Sequence, residues 1–315
     1  MKFLIYGAGT IGLSYGWLLS AKHDVSVLVK PDKLSAATTG YSFTVHDLRE
    51  KPRRDLQFEY RPTVVTQISE KYDAILVTVN RRQLKSVLPA LQNSGADIIF
   101  MLNHWDLRSE VAPYLRPQEY LVGFPSQVGG GREGDHVEVN VYGAETVLGE
   151  VDGEVTPRLT TYKEAFDQAG LTVEVKTNVL DWLKVHYLQQ SITAGAVLKA
   201  GDFRSFAHSR QAVKAMVQAL REGVAVCAAY GVDTKHTFPA NLLSKPTFLV
   251  VQFLTSMFTD PDTVLMVEGH MKHGLDEWIA GYYEVLNSGE EKGIAMPAWK
   301  AYKPYVDDYM DKSSH

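Results

Sequence analysis

The sequence predicts an α/β fold in which an N-terminal doubly wound sheet is followed by an all-helical C-terminal domain. Three observations lead to this prediction. A short apolar run, Phe3 to Tyr6, passes directly into a glycine-rich turn and a helical pattern. Strand patterns and helical patterns then alternate, which is typical of right-handed crossovers in a mostly parallel sheet. From Val179 onward the apolar residues recur with a helical period, so we expect domains over residues 1–178 and 179–315.

The glycine-rich turn has the spacing Gly7-x-Gly9-x-x-Gly12, with a strand before it and a helix after it. Gly7 permits the tight turn, Gly9 allows close approach of a pyrophosphate, and Gly12 allows the helix to pack on the sheet. A helix N-terminus also offers N–H groups and the positive end of its dipole to an anion. We therefore expect the turn, including Thr10 and Ile11, to bind a dinucleotide. The alternative is a glycine-rich turn that binds no ligand.

The next apolar run, residues 24–29, predicts a second strand that ends at Lys30. In such a fold the adenosine ribose lies at the end of the second strand, where Asp or Glu suits NAD and a cation suits the 2′-phosphate of NADP. Lys30 occupies this position and Lys33 follows, so the sequence favours NADP as the cofactor. The alternative is that both lysines are solvated loop charges.

Two later strand patterns place polar residues at their carboxyl ends. Residues 72–79 end at Asn80, and residues 97–102 end at Asn103. Ligands of doubly wound sheets bind beyond the carboxyl ends of the strands. We therefore expect the glycine turn, Lys30, Asn80 and Asn103 along one crevice.

Other segments of the first domain alternate apolar and polar residues and are expected to form hairpins. One hairpin is expected over residues 41–60, and a second over residues 136–148 with its turn at Gly143. The glycine-rich residues 129–134 are expected to form a loop.

Chain length, charge and cysteine content narrow the class of protein. A chain of 315 residues exceeds the usual size of a single core, so two domains are expected. The formal net charge of −5 argues against a nucleic acid or an anionic membrane as the main partner. The single cysteine, Cys227, lies in an apolar helical setting that suits a packed thiol in a reducing compartment. No signal-peptide pattern and no bilayer-length apolar run are visible, so we expect a cytoplasmic protein.

Lys184 is a candidate proton donor. A nicotinamide cofactor supplies a hydride, so the protein must supply a proton donor and anchors for the substrate. Lys184 lies among apolar residues at the start of the helical domain. An ammonium there would polarise a substrate carbonyl and pass a proton to the developing alkoxide. The alternative is an ordinary solvated lysine.

Four motifs in this order resemble the ketopantoate reductase (2-dehydropantoate 2-reductase) family. They are Gly7-x-Gly9-x-x-Gly12, Asn103 at a strand end, Trp182-x-Lys184, and Gly293-Ile294-x-x-Pro297. The resemblance implies NADPH-dependent reduction of a 2-oxo acid by a Rossmann domain followed by a helical domain. It also implies that Lys184 is the catalytic lysine, that Asn103 contacts cofactor and substrate, and that Lys30 binds the 2′-phosphate.

The family's catalytic glutamate matches one of two residues in this chain. Counting back from Pro297 leads to Glu277, whereas counting forward from Ser256 leads to Glu268. Ser256 and Met257 resemble a Ser-Ser-Met motif, which implies that Ser256 contacts the substrate. We assign Glu277 because its count runs through one helix, where a gap is costly. The alternatives are Glu268 and a site in which neither glutamate is catalytic.

Departures from the family pattern concern the substrate more than the chemistry. Asn80 stands where the family has a lysine, His104 where it has a glycine, and Leu188 and Ile192 where it has asparagines. Aliphatic residues at the last two positions favour a more apolar ligand than ketopantoate. The same departures support an alternative function, that of a dinucleotide-binding sensor or scaffold without turnover.

Two further groups of side chains suggest no additional chemistry. His270, His273 and Glu277 recur at helical spacing, but the spacing is not a recognised zinc pattern, so no metal site is expected. Tyrosines between residues 282 and 309 are expected in the core or in a contact between subunits. The sequence is therefore compatible with a homodimer.

Overall fold

The computed structural model describes the backbone of residues 1–313 and all of their side chains except those at positions 270, 273 and 313. The chain divides into two compact units, Met1–Leu180 and Asp181–His315. This division lies two residues beyond the expected boundary, in the first turn of a helix that begins at Val179.

The first unit is an α/β structure. Its strands are β1 (Lys2–Tyr6), β2 (Asp24–Leu28), β3 (Tyr41–Asp47), β4 (Arg54–Tyr60), β5 (Thr63–Val65), β6 (Ala74–Val77), β7 (Asp97–Met101), β8 (Tyr120–Phe124), β9 (Val128–Glu133), β10 (His136–Val141), β11 (Thr146–Glu150) and β12 (Val173–Val175). Its helices are α1 (Thr10–Ser20), α2 (Leu34–Thr39), α3 (Arg81–Leu91), α4 (Leu107–Val111) and α5 (Pro157–Gln168).

The large sheet has the strand order β12-β11-β8-β7-β6-β1-β2-β5. From β1 the chain builds outward in one direction through β2 and β5, and then in the other through β6, β7 and β8. These pairings are all parallel, and the antiparallel pairing in the sheet joins β11 to β8. This is a doubly wound sheet, and the predicted fold class is confirmed.

A smaller sheet has the strand order β4-β3-β10-β9. The hairpin expected over residues 41–60 is confirmed, because β3 and β4 pair antiparallel with Tyr41 opposite Tyr60. The hairpin expected over residues 136–148 is wrong. Strand β10 pairs with β9 and β3, whereas β11 belongs to the large sheet.

The glycine-rich residues 129–134 are largely a strand, not the expected loop. Gly130 has φ +137°, and a Cβ there would lie 2.0 Å from the carbonyl oxygen of Glu138 on β10. The glycine therefore permits a strand pairing that a side chain would block. The chain reverses at Gly134, whose φ is +63°.

Helix α1 is held in place by aromatic contacts on two sides. Trp17 lies 5.0 Å from Phe58 and 5.9 Å from Phe43, both in the small sheet, measured between ring centroids. Tyr15 is fully buried and its hydroxyl lies 2.6 Å from the Oγ1 atom of Thr146, which begins β11. The small sheet thus fixes the helix that follows the glycine turn.

The second unit is helical over the residues that the structure describes. Its helices are α6 (Val179–Ala200), α7 (Phe203–His208), α8 (Arg210–Ala229), α9 (Ala240–Leu243), α10 (Thr247–Phe258), α11 (Pro261–Glu291), α12 (Pro297–Lys300) and α13 (Lys303–Ser313). None of the helices formed by described residues combines the length and the apolar character needed to cross a bilayer.

The motif that ends at Pro297 is a packing motif in this structure. Gly293 has φ +66°, and Pro297 is the first residue of α12. The carboxylate of Glu222 accepts the backbone N–H groups of Ala298 and Trp299 at 2.9 and 2.7 Å. The fully buried Trp299 ring is thereby fixed in the helical core.

Candidate cofactor and substrate residues

The three glycines of the turn after β1 have different surroundings. Gly7 has φ +125°, a conformation that favours glycine, and it makes the turn out of the strand. A Cβ at Gly12 would lie 1.9 Å from the carbonyl oxygen of Gly7, so this glycine lets α1 approach the strand. A Cβ at Gly9 would have no atom of a described residue within 4 Å. The protein itself therefore requires glycine at positions 7 and 12 but leaves open space at position 9.

Helix α1 begins at Thr10 with its N-terminus uncapped by any side chain. Gly9 is its N-cap residue, and the first turn contains no acidic residue. The backbone N–H groups at a helix start and the positive end of its dipole attract anions. The turn therefore has the geometry and the electrostatics of a phosphate site.

Thr78 fixes the glycine turn and was missed by sequence reasoning. Its hydroxyl donates a hydrogen bond of 2.9 Å to the carbonyl oxygen of Gly7, and its backbone N–H donates to Tyr6. Thr78 follows β6, the parallel neighbour of β1. The contact joins residues 71 positions apart, so no local sequence pattern indicates it.

Lys30 lies just beyond β2, at the same sheet edge as the glycine turn. Tyr6 pairs with Leu28 in the β1–β2 register, so Ala8 and Lys30 each follow a paired residue by two positions. Lys30 is exposed, whereas Lys33 forms a 3.8 Å ion pair with Asp32. Of the two lysines, Lys30 is the better placed beside the glycine turn.

Asn80 is the N-cap residue of α3. Its side chain accepts the backbone N–H of Gln83 at 3.1 Å. Such a cap satisfies a helix N–H that would otherwise lack a partner. The departure from the family's lysine at this position thus has a structural reason.

Asn103 lies two residues beyond β7, at the carboxyl edge that also carries the glycine turn. Its side chain is buried, with 8% exposed, and within the described part of the chain neither Oδ1 nor Nδ2 has a hydrogen-bond partner. Burying a polar group without a partner costs about 1–3 kcal/mol. Such a group calls for a functional explanation, and a ligand at this edge would provide one.

His104, which follows Asn103, forms part of the turn after β7. Its Nδ1 accepts the backbone N–H of Asp106 at 3.1 Å, and its Nε2 lies 3.4 Å from a carboxylate oxygen of Glu110. A glycine could make neither contact. These two contacts of His104 therefore fix the turn that contains Asn103.

In the second unit, Lys184 rests on an aromatic ring. Its Nζ lies 5.0 Å from the centroid of the Tyr230 ring, and Nζ of Lys292 lies 4.4 Å from the same centroid. The Tyr230 hydroxyl donates to Glu291 at 3.0 Å. Cation–π contact of this kind orients an ammonium without removing its charge.

Cys227 is the packed thiol that the sequence predicts. It is fully buried, and its Sγ lies 4.0 Å from the carbonyl oxygen of Lys184. Burial raises the pKa of the thiol to about 12. The thiolate, which is the nucleophilic form, is therefore scarce at neutral pH.

One continuous helix, α11, carries both candidate glutamates. Glu268 forms a two-point ion pair with Arg204 at 2.8 and 3.1 Å, close to the surface. Both glutamates are partly buried. Helices α6 and α11 contact each other through a hydrogen bond of 2.5 Å from the Tyr187 hydroxyl to the Glu284 carboxylate. Lys184 on α6 and Glu277 on α11 each lie within two helical turns of that contact.

Ser256, Leu188 and Ile192 have unequal surroundings in the second unit. Ser256 is exposed on α10. Leu188 and Ile192 are buried, with 1% and 0% exposed, and Leu188 packs against Gly223 of α8. Their aliphatic character therefore has a packing reason, and the expectation that they favour a more apolar ligand stays a prediction.

No metal centre is found among the described side chains, where no three His, Cys, Asp or Glu residues could hold an ion together. The side chains of His270 and His273 lie outside the described ones.

The sequence pattern of the family described as ketopantoate reductase PanE/ApbA matches residues 3–153. The resemblance to the ketopantoate reductase family is confirmed over this segment. The glycine turn, Lys30 and Asn103 lie within the matched residues, whereas Lys184, Ser256 and Glu277 lie beyond them. The family match thus covers the large sheet through β11.

A curated relative with similar sequence is the 2-dehydropantoate 2-reductase of Bacillus subtilis (strain 168). It is 32% identical to this chain over 104 residues, which are 33% of this chain and 33% of that protein. The alignment therefore spans about a third of the relative's length.

Solved structures show that the fold is shared over nearly the whole chain. D-mandelate dehydrogenase with NADH and anilino(oxo)acetate superposes with a TM-score of 0.76 at 15% identity, covering 99% of both chains. The 2-dehydropantoate 2-reductase from Geobacter metallireducens GS-15 gives 0.73 at 20% identity, covering 98% of this chain and 100% of that one. The protein from Methylococcus capsulatus with the same name gives 0.73 at 18% identity, covering 100% and 98%.

The first unit has features that fit the nicotinamide dinucleotide implied by ketopantoate reductases. The turn leaves open space at Gly9, and α1 begins without a side-chain cap or an acidic first turn. The carboxamide of Asn103 is buried without a partner among the residues described. An uncapped helix start and, among the described residues, a carboxamide without a hydrogen-bond partner thus lie at one sheet edge.

Proposed function

We propose that this protein is an NADPH-dependent oxidoreductase that reduces the ketone of a small 2-oxo acid or a related carbonyl compound. The observation that carries the proposal is the buried carboxamide of Asn103 at the carboxyl edge of the sheet, which has no hydrogen-bond partner among the described residues. The match of residues 3–153 to ketopantoate reductases supports the reaction class. A protein of the same fold, solved with NADH and anilino(oxo)acetate, supports an oxo acid as substrate.

In this proposal the residues of the first unit hold the cofactor. The backbone of Gly7, Gly9, Thr10, Ile11 and Gly12 holds the pyrophosphate, because these residues form the uncapped start of α1. Lys30 holds the 2′-phosphate, which is the reason for proposing NADPH over NADH. The carboxamide of Asn103 forms hydrogen bonds with the cofactor and with the substrate.

Lys184 acts as the proton donor. A bound nicotinamide would supply the hydride to the ketone carbon. The Lys184 ammonium donates a hydrogen bond to the ketone oxygen, polarises the carbonyl, and gives its proton to the alkoxide as the carbonyl π bond breaks. The lysine then recovers a proton from solvent, so the products are a 2-hydroxy acid and NADP⁺.

Glu277 and Ser256 are the further substrate residues of the proposal. Glu277 either orients Lys184 or accepts a hydrogen bond from a substrate hydroxyl. Its partial burial suits a carboxylate that binds a ligand. Ser256 has an exposed side chain that can reach a ligand from α10. Glu268, which forms an ion pair with Arg204, is the alternative carboxylate.

The proposal also includes a cytoplasmic homodimer. The single, buried thiol of Cys227 suits a reducing compartment. Helix α10 exposes Phe248, Leu249 and Phe253, with 66%, 47% and 45% of each residue accessible. Large apolar side chains of this kind favour contact between subunits, and light scattering of the purified protein would measure the assembly.

Oxidation of NADPH across a panel of 2-oxo acids and ketones tests the proposed activity. We expect turnover with at least one 2-oxo acid, formation of the corresponding 2-hydroxy acid, and loss of turnover in Lys184→Ala. NADPH binding without turnover on the whole panel would instead support a dinucleotide-binding sensor. Failure of the wild-type protein to bind either NADPH or NADH would exclude both functions.

A further inference from the structure

Arg132, near the end of β9, lies against the glycine turn. Its Nη1 donates a hydrogen bond to the carbonyl oxygen of Ala8, the residue between the first two glycines of the motif. Its Nε donates to the carbonyl oxygen of Gly134 at 2.8 Å. The small sheet thus places the Arg132 guanidinium beside the glycine turn, although the two segments lie more than 120 residues apart in the sequence.

The guanidinium of Arg132 is oriented but only partly used. Its central carbon lies 4.9 Å from the centroid of the buried Tyr41 ring, and Arg132 itself is exposed. Of its five N–H donors, two have acceptors among the described residues, and both Nη2 hydrogens have none. A guanidinium held on a ring with unused donors is prepared to bind an oxyanion.

Lys30 supplies a second cation at the same part of the turn. The β1–β2 register places Lys30 level with Ala8, because each follows a paired residue by two positions. Arg132 contacts the carbonyl group of that same Ala8. The adenosine ribose of a dinucleotide lies beside the end of the second strand in folds of this kind, whereas the pyrophosphate lies at the helix start. Arg132 and Lys30 are therefore both neighbours of Ala8, Arg132 through its hydrogen bond and Lys30 through the strand register.

We propose that Arg132 is a specificity residue that binds the 2′-phosphate of NADPH together with Lys30, with Tyr41 holding its guanidinium in place. This inference rests on the proposed NADPH-dependent function. A structural role in which Arg132 only fixes the glycine turn would use the bond to Ala8 alone and would act on every dinucleotide equally. The unused Nη2 donors favour a contact with the ligand.

The affinities of NADPH and NADH for Arg132→Gln, measured by fluorescence titration, test the inference. Loss of a charge-assisted contact to the 2′-phosphate should raise the NADPH dissociation constant at least about tenfold, with the NADH constant changed less than about threefold. Arg132→Lys should fall between wild type and Arg132→Gln, because it keeps the charge but not the guanidinium fork. If Arg132→Gln fails to fold, the NADPH-to-NADH affinity ratio of Arg132→Lys decides the question.

Arg54→Gln is the matched control. Arg54 begins β4, at the other edge of the same small sheet, and pairs with Glu50 at 3.8 Å. It should leave both affinities unchanged. Equal weakening of NADPH and NADH in Arg132→Gln, or no weakening of NADPH, would overturn the inference while leaving the proposed function intact. A wild-type protein without preference for NADPH would remove the NADP assignment itself, and this inference with it.

Discussion

A Cβ atom at position 12 would lie 1.9 Å from the carbonyl oxygen of Gly7, whereas one at position 9 would meet no atom within 4 Å over the part of the chain that the structure describes. Gly12 is therefore required by the contact between α1 and β1. Gly9 has no such requirement within the protein, and its φ of −82° suits any residue. Under the proposed function, a cofactor pyrophosphate that approaches the backbone accounts for the glycine at position 9.

Substitution by alanine should consequently affect Gly12 and Gly9 differently, lowering stability at Gly12 and cofactor affinity at Gly9. Gly12→Ala forces α1 away from the strand and should lower the free energy of unfolding by about 1–3 kcal/mol or more. Gly9→Ala should unfold like the wild type but bind NADPH at least about tenfold more weakly, since a methyl group would occupy the space for the pyrophosphate. Denaturant unfolding and NADPH titration of both variants separate these effects. Equal NADPH affinity in Gly9→Ala and wild type would contradict the proposed site.

Lys30→Ala should narrow the preference for NADPH over NADH. A charge-assisted hydrogen bond contributes about 1.5–3 kcal/mol, so the ratio of the two affinities should fall by about tenfold or more. Lys33→Ala is the matched control, because Lys33 is paired with Asp32 and should change the ratio little. Equal wild-type affinities for the two cofactors would show that the NADP assignment is wrong.

The sequence was informative where the constraint on the fold is local. The turn conformation of Gly7 and the close packing at Gly12 depend on the glycines themselves, so their spacing was enough to predict the turn. Asn103 was placed correctly at a strand end because an apolar run of ordinary length precedes it. The pairing of β3 with β4 followed from alternation over neighbouring segments.

Features that depend on distant residues were not predictable. Strand β9 was expected to be a loop because glycine has low strand propensity, and its pairing needs the backbone of β10. The contacts of Thr78 and Arg132 with the glycine turn join residues 71 and 124 positions apart. In each case tertiary packing decides what a local pattern leaves open.

Lys184→Ala should lower kcat about 10²–10³-fold, because it removes the hydrogen-bond donor that stabilises the developing alkoxide charge. The NADPH dissociation constant should stay within a few-fold of the wild-type value. Lys199→Ala is a suitable control, since Lys199 lies on the same helix and also rests on tyrosine rings, 5.4 Å from Tyr302 and 5.5 Å from Tyr305. Loss of NADPH affinity with nearly unchanged kcat would instead assign Lys184 to the fold.

Glu277→Gln and Glu268→Gln should have unequal effects. We expect Glu277→Gln to lower kcat/KM at least about tenfold, equivalent to roughly 1.4 kcal/mol of transition-state stabilisation. Glu268→Gln should stay within a few-fold, because Glu268 pairs with Arg204 near the surface. Steady-state kinetics with the best substrate of the panel compares them. The reverse ranking would transfer the assignment to Glu268.

The central claim is that the Asn103 carboxamide, buried without a hydrogen-bond partner in the described part of the chain, forms hydrogen bonds with a cofactor and a substrate. Asn103→Leu replaces the buried amide with an apolar side chain of similar size. Removing the unpaired groups should leave the free energy of unfolding of the ligand-free protein unchanged or raise it by about 1–3 kcal/mol. The added stability that saturating NADPH gives the wild type should be reduced in the variant. Thermal unfolding of both proteins with and without NADPH measures this directly. A variant that is less stable without NADPH yet gains as much stability from it as the wild type would contradict the claim.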